Sequence, residues 1–174
     1  MIYSLLIGLA GGMRSMTPLA AVAVAANRGL LPQDNGAPEW LGHDVVAAGA
    51  VALAAGELIA DKHPSSPDRI IPPGIAARLV TGGLAGAALA PRGQRELGAV
   101  VGALAAVASA YITWKARIRS MEQHGQASTG LVEDAVMMAT TAIAVTGAGK
   151  GQRQIDPAYS SAVSGRPLNP LATR

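Results

Sequence analysis

The stretch Leu97–Trp114, LGAVVGALAAVASAYITW, contains no ionisable side chain. It reaches the roughly 18 residues that one helix needs to cross the hydrocarbon core of a bilayer, and it reads as a transmembrane helix on its own. Four further apolar segments, Ile2–Asn27, Asp44–Ala60, Ile71–Ala90 and Leu131–Ala148, have spanning length. Each of them holds ionisable groups: Arg14, Glu57, Arg78 and the pair Glu133 and Asp134 respectively. Only 14% of the chain is charged, against roughly 25% in soluble domains, and that deficit points toward lipid. Phe is absent, so Ala, Gly, Val, Leu and Ile supply the apolar mass. The expected fold class is all-α, an integral membrane bundle of about five transmembrane segments.

The residues between the segments support helices. Ser15 or Thr17 followed by Pro18 reads as an N-cap with Pro in the first turn, so MRSMTP breaks the first apolar segment into two half-helices near Arg14–Pro18. Pro72 and Pro73 open the third segment in the same way, Pro91 closes it, and Ser128-Thr129-Gly130 precedes the last. Polar loops are expected at about residues 28–43, 61–71, 91–96 and 115–130. Residues 1–148 form the membrane domain, and the Gly-, Pro- and Ser-rich residues 149–174 are expected to be a flexible polar tail. No basic residue precedes the first apolar run and Arg14 follows it, so the segment reads as retained and not as a cleaved signal.

Small residues recur four apart in Gly8 with Gly12, Gly82 with Gly86 and Gly98 with Gly102. On helices in lipid this spacing permits close backbone approach, within the chain or against a second copy in a homo-oligomer. A weak internal repeat is suggested by GLAG at 8–11 and 83–86, followed by LAAVA at 19–23 and 104–108.

The charges carry the functional reading. An ionisable group at the bilayer centre costs about 2.5–3.5 kcal/mol on insertion scales, so it faces protein, water or an opposite charge. Glu57 and Asp61 share one helix face, and Lys62 follows directly. Glu133 and Asp134 sit at a helix start, where the helix dipole favours carboxylates. Glu57, Asp61, Glu133, Asp134 and the Thr17 hydroxyl are candidate ion or proton ligands, with Arg14, Lys62 and Arg78 as counter-charges. Converging beside a broken helix, these groups would form an ion or proton pathway, or equally a salt-bridge network that fixes helix register. Plainer roles stand beside these: Glu57, Asp61 and Lys62 as the watery end of a span, Glu133 and Asp134 as caps, Arg78 snorkelling to the surface.

Other classes are weakly supported. The net charge of +3 is spread along the chain with no basic run for nucleic acid. No cysteine is present, and His43, His63 and His124 lie far apart in expected loops. VTGAGKG at 145–151 lacks both the first Gly and the Ser or Thr of a phosphate loop. Asp61 and Asp134 would make an aspartyl dyad, but nothing flanking them supports a protease. No enzyme activity and no cofactor are expected, and the identity of any metal stays open. Lys and Arg fall about equally on the two sides of a five-span arrangement, which leaves orientation open and admits dual insertion as an antiparallel dimer.

GMRSMTP, GELIADKHPSSPDRIIPPGIAAR and GLVEDA, in this order, resemble the bacterial membrane proteins grouped as domain-of-unknown-function family 4126. The resemblance covers most of the chain to about Ala148 and implies a small multi-pass protein of the cell (inner) membrane, with no activity attached. The string Glu57-x-x-x-Asp61-Lys62 also looks like the E-x-G-D-K signature of cation/proton exchangers, with a wider gap and no Gly, which ranks cations above anions. The leading expectation is a small transporter or channel for a cation or protons. The alternative is a structural or partner-binding membrane protein whose charges lock helix packing.

Overall fold

The computed structural model describes residues 1–60, 70–124 and 126–155, and among these no β-strand occurs. Six α-helices follow one another: α1 (Ile2–Met13), α2 (Met16–Asn27), α3 (Asp44–Ala60), α4 (Pro72–Ala88), α5 (Arg95–His124) and α6 (Gln126–Ile155). Short 3-10 turns lie at Glu39–Gly42 and Arg92–Gln94. The all-α class holds. Two of the described helices, α5 and α6, are long and apolar enough to cross a membrane.

Two expected boundaries move. Residues 115–130, expected as a loop, continue α5 to His124 and open α6 at Gln126. The reason is composition: Lys115 to Gln123 consists mainly of strong helix formers with no Gly or Pro, so polarity alone misreads it. Similarly α6 runs through Gly147, Gly149 and Gly151 to Ile155, beyond the expected start of the tail at residue 149. Residues 156–174 lie outside the described residues.

The first apolar segment breaks where expected, but its halves do not continue as one rod. Arg14 is extended (φ −140°, ψ 124°) and Ser15 is the N-cap of α2. Tyr3, at the start of α1, lies against Gly147, and the Leu30 carbonyl, just beyond α2, lies against Gly149. Both open ends of the pair therefore meet one end of α6, while Arg14 at the break pairs with Asp134 near the other end. The two half-helices form a hairpin with its tip at Arg14 and Ser15. At 12 residues each they are about 18 Å long, against about 45 Å for α5 and α6 at 30 residues each.

The arm α1 is the centre of the molecule, packed against α4, α5 and α6. The three small-residue pairs singled out in the sequence make the α1–α5 and α4–α5 contacts. A Cβ on Gly12 would come 2.5 Å from Ser109 Cβ, one on Gly82 would come 2.6 Å from Ala106 Cβ, and one on Gly86 would come 2.8 Å from Gly102 Cα. Gly8 and Gly98 are equally closed, against the Gly102 backbone and Ala90. The faces carried by these pairs are thus covered within the chain. Both GLAG strings lie on helices that meet α5 at Gly102, so that element of the sequence echo has a common structural neighbour.

The open end of the hairpin is closed by its linker. After α2, Leu30 N–H donates to Ala25 O (2.8 Å) and Gly29 N–H to Ala26 O (3.1 Å), with Gly29 at φ +63° supplying the left-handed residue of this helix-ending motif. Gly36 N–H to Ala90 O (2.8 Å) and Arg92 N–H to Asp34 O (3.1 Å) then tie the linker to the α4–α5 connection. α3 returns alongside α2 and brings Glu57 to the hairpin tip.

Candidate functional site

A helix break exposes two sets of polar backbone groups: carbonyls at the end of the first half and N–H groups at the start of the second. In this chain a charged side chain from a separate helix meets each set. Arg78 on α4 donates from Nε to Gly12 O (3.1 Å) at the end of α1 and from Nη1 to Gly74 O (3.0 Å). Glu57 on α3 accepts from the other side: Ser15 N–H and the Ser15 hydroxyl donate to its Oε1 (2.8 and 2.9 Å), and Met16 N–H donates to its Oε2 (2.9 Å). A cation at the C-terminal end of α1 and an anion at the N-terminal end of α2 both match the helix dipoles.

The third charge is Arg14 itself. It is 3% exposed, and its Nε and Nη2 both reach Asp134 Oδ1, at 2.9 and 2.8 Å. Asp134 is 22% exposed, so the acid is the more open partner. Glu133, one residue earlier on α6, points elsewhere and pairs with Arg117 on α5 at 3.2 Å.

The expected residues thus separate into groups. Arg14, Glu57, Arg78 and Asp134 converge at the hairpin tip. Glu133 does not join them. Arg78 is 5% exposed and does not snorkel, because the Gly12 carbonyl offers it a buried acceptor. Thr17 Oγ1 is buried with no hydrogen-bond partner, in the first turn of α2. Asp61 and Lys62 lie outside the described residues. Ser15 is the N-cap, but its hydroxyl turns to Glu57 and makes no cap bond, so the carboxylate of another helix does the capping.

Arg117 is not among the expected site residues. Its pairing had a signal: Arg117 and Glu133 each lie eight residues from Gly125, the symmetric spacing that two antiparallel helices joined there would bring level. Ser120 and Thr129, whose hydroxyls lie 3.2 Å apart, pair within one residue of the same register.

A cavity of about 410 Å³ lies between α5 and α6, and neither Arg14 nor Asp134 lines it. It is open to the exterior and mostly apolar, with Ala116, Val132, Val136 and Met13 in its walls beside Thr113 and the Arg117–Glu133 pair. Among the described residues no three His, Cys, Asp or Glu side chains come together to hold a metal ion. The arrangement offers single carboxylates, each held by an arginine or by helix N–H groups.

Comparison with protein-family models, with curated proteins and with solved structures returns no match for this chain.

Proposed function

We propose that this chain is a multi-pass protein of the cell (inner) membrane that conducts or exchanges a small cation, protons first, through the charged site at the hairpin tip. The exterior supports the membrane placement. Val45, Val51, Leu53 and Ile59 on α3, Val80 on α4, Leu97, Val100, Leu104 and Ile112 on α5, and Val136, Met138 and Ile143 on α6 are all exposed, an apolar surface far larger than a water-soluble monomer presents. Leu97–Trp114 on α5 is about 27 Å long, close to the hydrocarbon thickness, with Trp114 suited to one interface and Lys115, Arg117 and Arg119 beyond it.

On that placement α3 to α6 make four crossings, and the α1–α2 hairpin enters from the side holding residues 28–43 and returns without crossing. Gly12 meets Ser109, so the tip sits about 7 Å inside the Trp114 level, five residues along α5. Non-helical backbone at this depth is tolerated where protein buries it or water reaches it, and broken helices with converging charges are the usual site of substrate and ion binding in transporters. Family membership in the group that the sequence resembles fits the same picture.

The observation that carries the reading is the Arg14–Asp134 pair at the tip, with a half-open acid facing a buried arginine. Asp134 is the carrier: protonation or a bound cation releases it from Arg14, and loss of the cation restores the pair. Glu57, held by three donors, positions the tip. Flux assays in liposomes test this. Purified protein is expected to pass protons or a monovalent cation, and Asp134→Asn is expected to abolish flux while the protein stays folded and inserted. Silence from well-folded wild-type protein would refute it.

One observation favours a second reading, a non-transporting protein with a structural charge network: Arg14, Glu57 and Arg78 all have fixed partners at the tip. On that reading Asp134→Asn lowers thermal stability and changes no flux.

A further inference from the structure

The chain has two tryptophans, Trp40 and Trp114. Trp114 lies on α5 at the level assigned above to one interface. Trp40 lies in the short turn Glu39–Gly42, between the hairpin and α3. Within that turn Leu41 supplies the core contact at 1% exposure, whereas Trp40 is 46% exposed. Indole joins a large apolar ring to one N–H donor, and it concentrates where one end of the side chain meets lipid and the other meets water.

The turn is fixed to the helix ends on both sides. Ahead of it Gly36 N–H donates to Ala90 O (2.8 Å), and a Cβ on Gly36 would come 2.7 Å from Arg95 Cβ. Behind it the Asn27 side-chain amide donates to Gly42 O (2.9 Å) at the end of α2. These ties hold Trp40 near the level of Arg95, where α5 begins. From Arg95 to Trp114 the helix rises about 28 Å, against about 30 Å for the hydrocarbon core. Exposed apolar side chains start at the same end, with Val45 (84%) in the first turn of α3 and Leu97 in the first turn of α5. Trp40 continues that apolar exterior.

We infer that the turn Glu39–Gly42 docks on the phospholipid surface, with the Trp40 ring seated at the glycerol and upper acyl groups of the leaflet opposite Trp114. The inference rests on the membrane placement and adds an independent depth marker to it. With the open end of the hairpin at that interface, arms about 18 Å long stop about 10 Å short of the Trp114 level. The contact of Gly12 with Ser109 gives about 7 Å by a separate route.

Trp114→Phe leaves Trp40 as the sole indole, and Trp40→Phe leaves Trp114. Each variant is reconstituted in phosphatidylcholine vesicles whose acyl chains carry bromine, a short-range quencher of indole fluorescence, either near the ester end or at the chain terminus. Both indoles are expected to lose about half or more of their emission to ester-end bromine and clearly less to terminal bromine. Trp40 that neither lipid quenches, beside a Trp114 that ester-end bromine does quench, would overturn the inference and leave the membrane placement standing. Trp40 quenched most by terminal bromine would overturn it as well, because the turn would then lie inside the hydrocarbon. Absence of quenching for both indoles would overturn inference and placement together.

Discussion

Replacing Glu57 by Gln tests how the hairpin tip is held. In the native protein Oε1 accepts two bonds from Ser15 and Oε2 accepts the Met16 N–H. A Gln oxygen can keep the Ser15 pair, but its NH2 group then faces the Met16 N–H, donor against donor. The loss is one charge-assisted bond, about 1.5–3 kcal/mol, plus a carboxylate at the positive end of α2, about 0.3–1 kcal/mol. The sum is about 2–4 kcal/mol. For a chain of this size that corresponds to a fall in Tm of about 4–16 °C, read by thermal unfolding in detergent. Ser15→Ala removes only the hydroxyl bond to the same carboxylate and should cost about 1.5–3 kcal/mol. A Glu57→Gln protein that melts within 1–2 °C of wild type would refute this reasoning, as would a Ser15→Ala change that costs more. Per folded molecule, Glu57→Gln should retain flux, in contrast to Asp134→Asn.

Three further outcomes are expected. Gly102→Ala places a Cβ 2.9 Å from Gly86 Cα and should destabilise by about 1–3 kcal/mol, whereas Gly49→Ala, with nothing within 4 Å, should stabilise by up to about 1 kcal/mol; the ordering of the two melting temperatures checks it. Arg14→Asp with Asp134→Arg should recover part of the stability that each single change loses, while Arg14→Glu with Glu57→Arg should not, and a double-mutant cycle on both pairs decides. Arg78→Met should cost about 1–3 kcal/mol by leaving the Gly12 carbonyl unsatisfied, and Arg78→Lys should recover only part because one ammonium cannot reproduce the two directed bonds to Gly12 and Gly74; thermal unfolding of both variants reads this.

Much of this arrangement is legible in the sequence, and the limits have physical causes. Gly8, Gly12, Gly82, Gly86, Gly98 and Gly102 stand out by spacing, because close helix contact in an Ala- and Gly-rich bundle requires absent side chains along one face. The break at Arg14 shows through Ser15 and Pro18, because capping and ring constraints are local. The direction taken after the break is not local: one extended residue at Arg14 decides between a rod and a hairpin, and the contacts that select the hairpin, Tyr3 with Gly147 and Leu30 with Gly149, span most of the chain. The charged residues were visible individually, while their partners were not. Arg14 chooses Asp134 over Glu57 because Glu57 is claimed by backbone N–H groups that carry no mark in the sequence. The helical residues 115–124 and 126–130 are hidden because polarity resembles a loop, although Lys, Arg, Glu, Gln and Met all favour helix.

The hairpin is the premise on which both site and depth depend, and sidedness tests it most directly. Ile2, Leu30 and Arg119 are exposed and can each be replaced by a single cysteine in the cysteine-free chain. An impermeant maleimide applied to one face of oriented membrane vesicles is expected to label Ile2→Cys and Leu30→Cys from the same side and Arg119→Cys from the other. Labelling of Ile2→Cys and Leu30→Cys from opposite sides would make the first segment a full crossing and contradict the account.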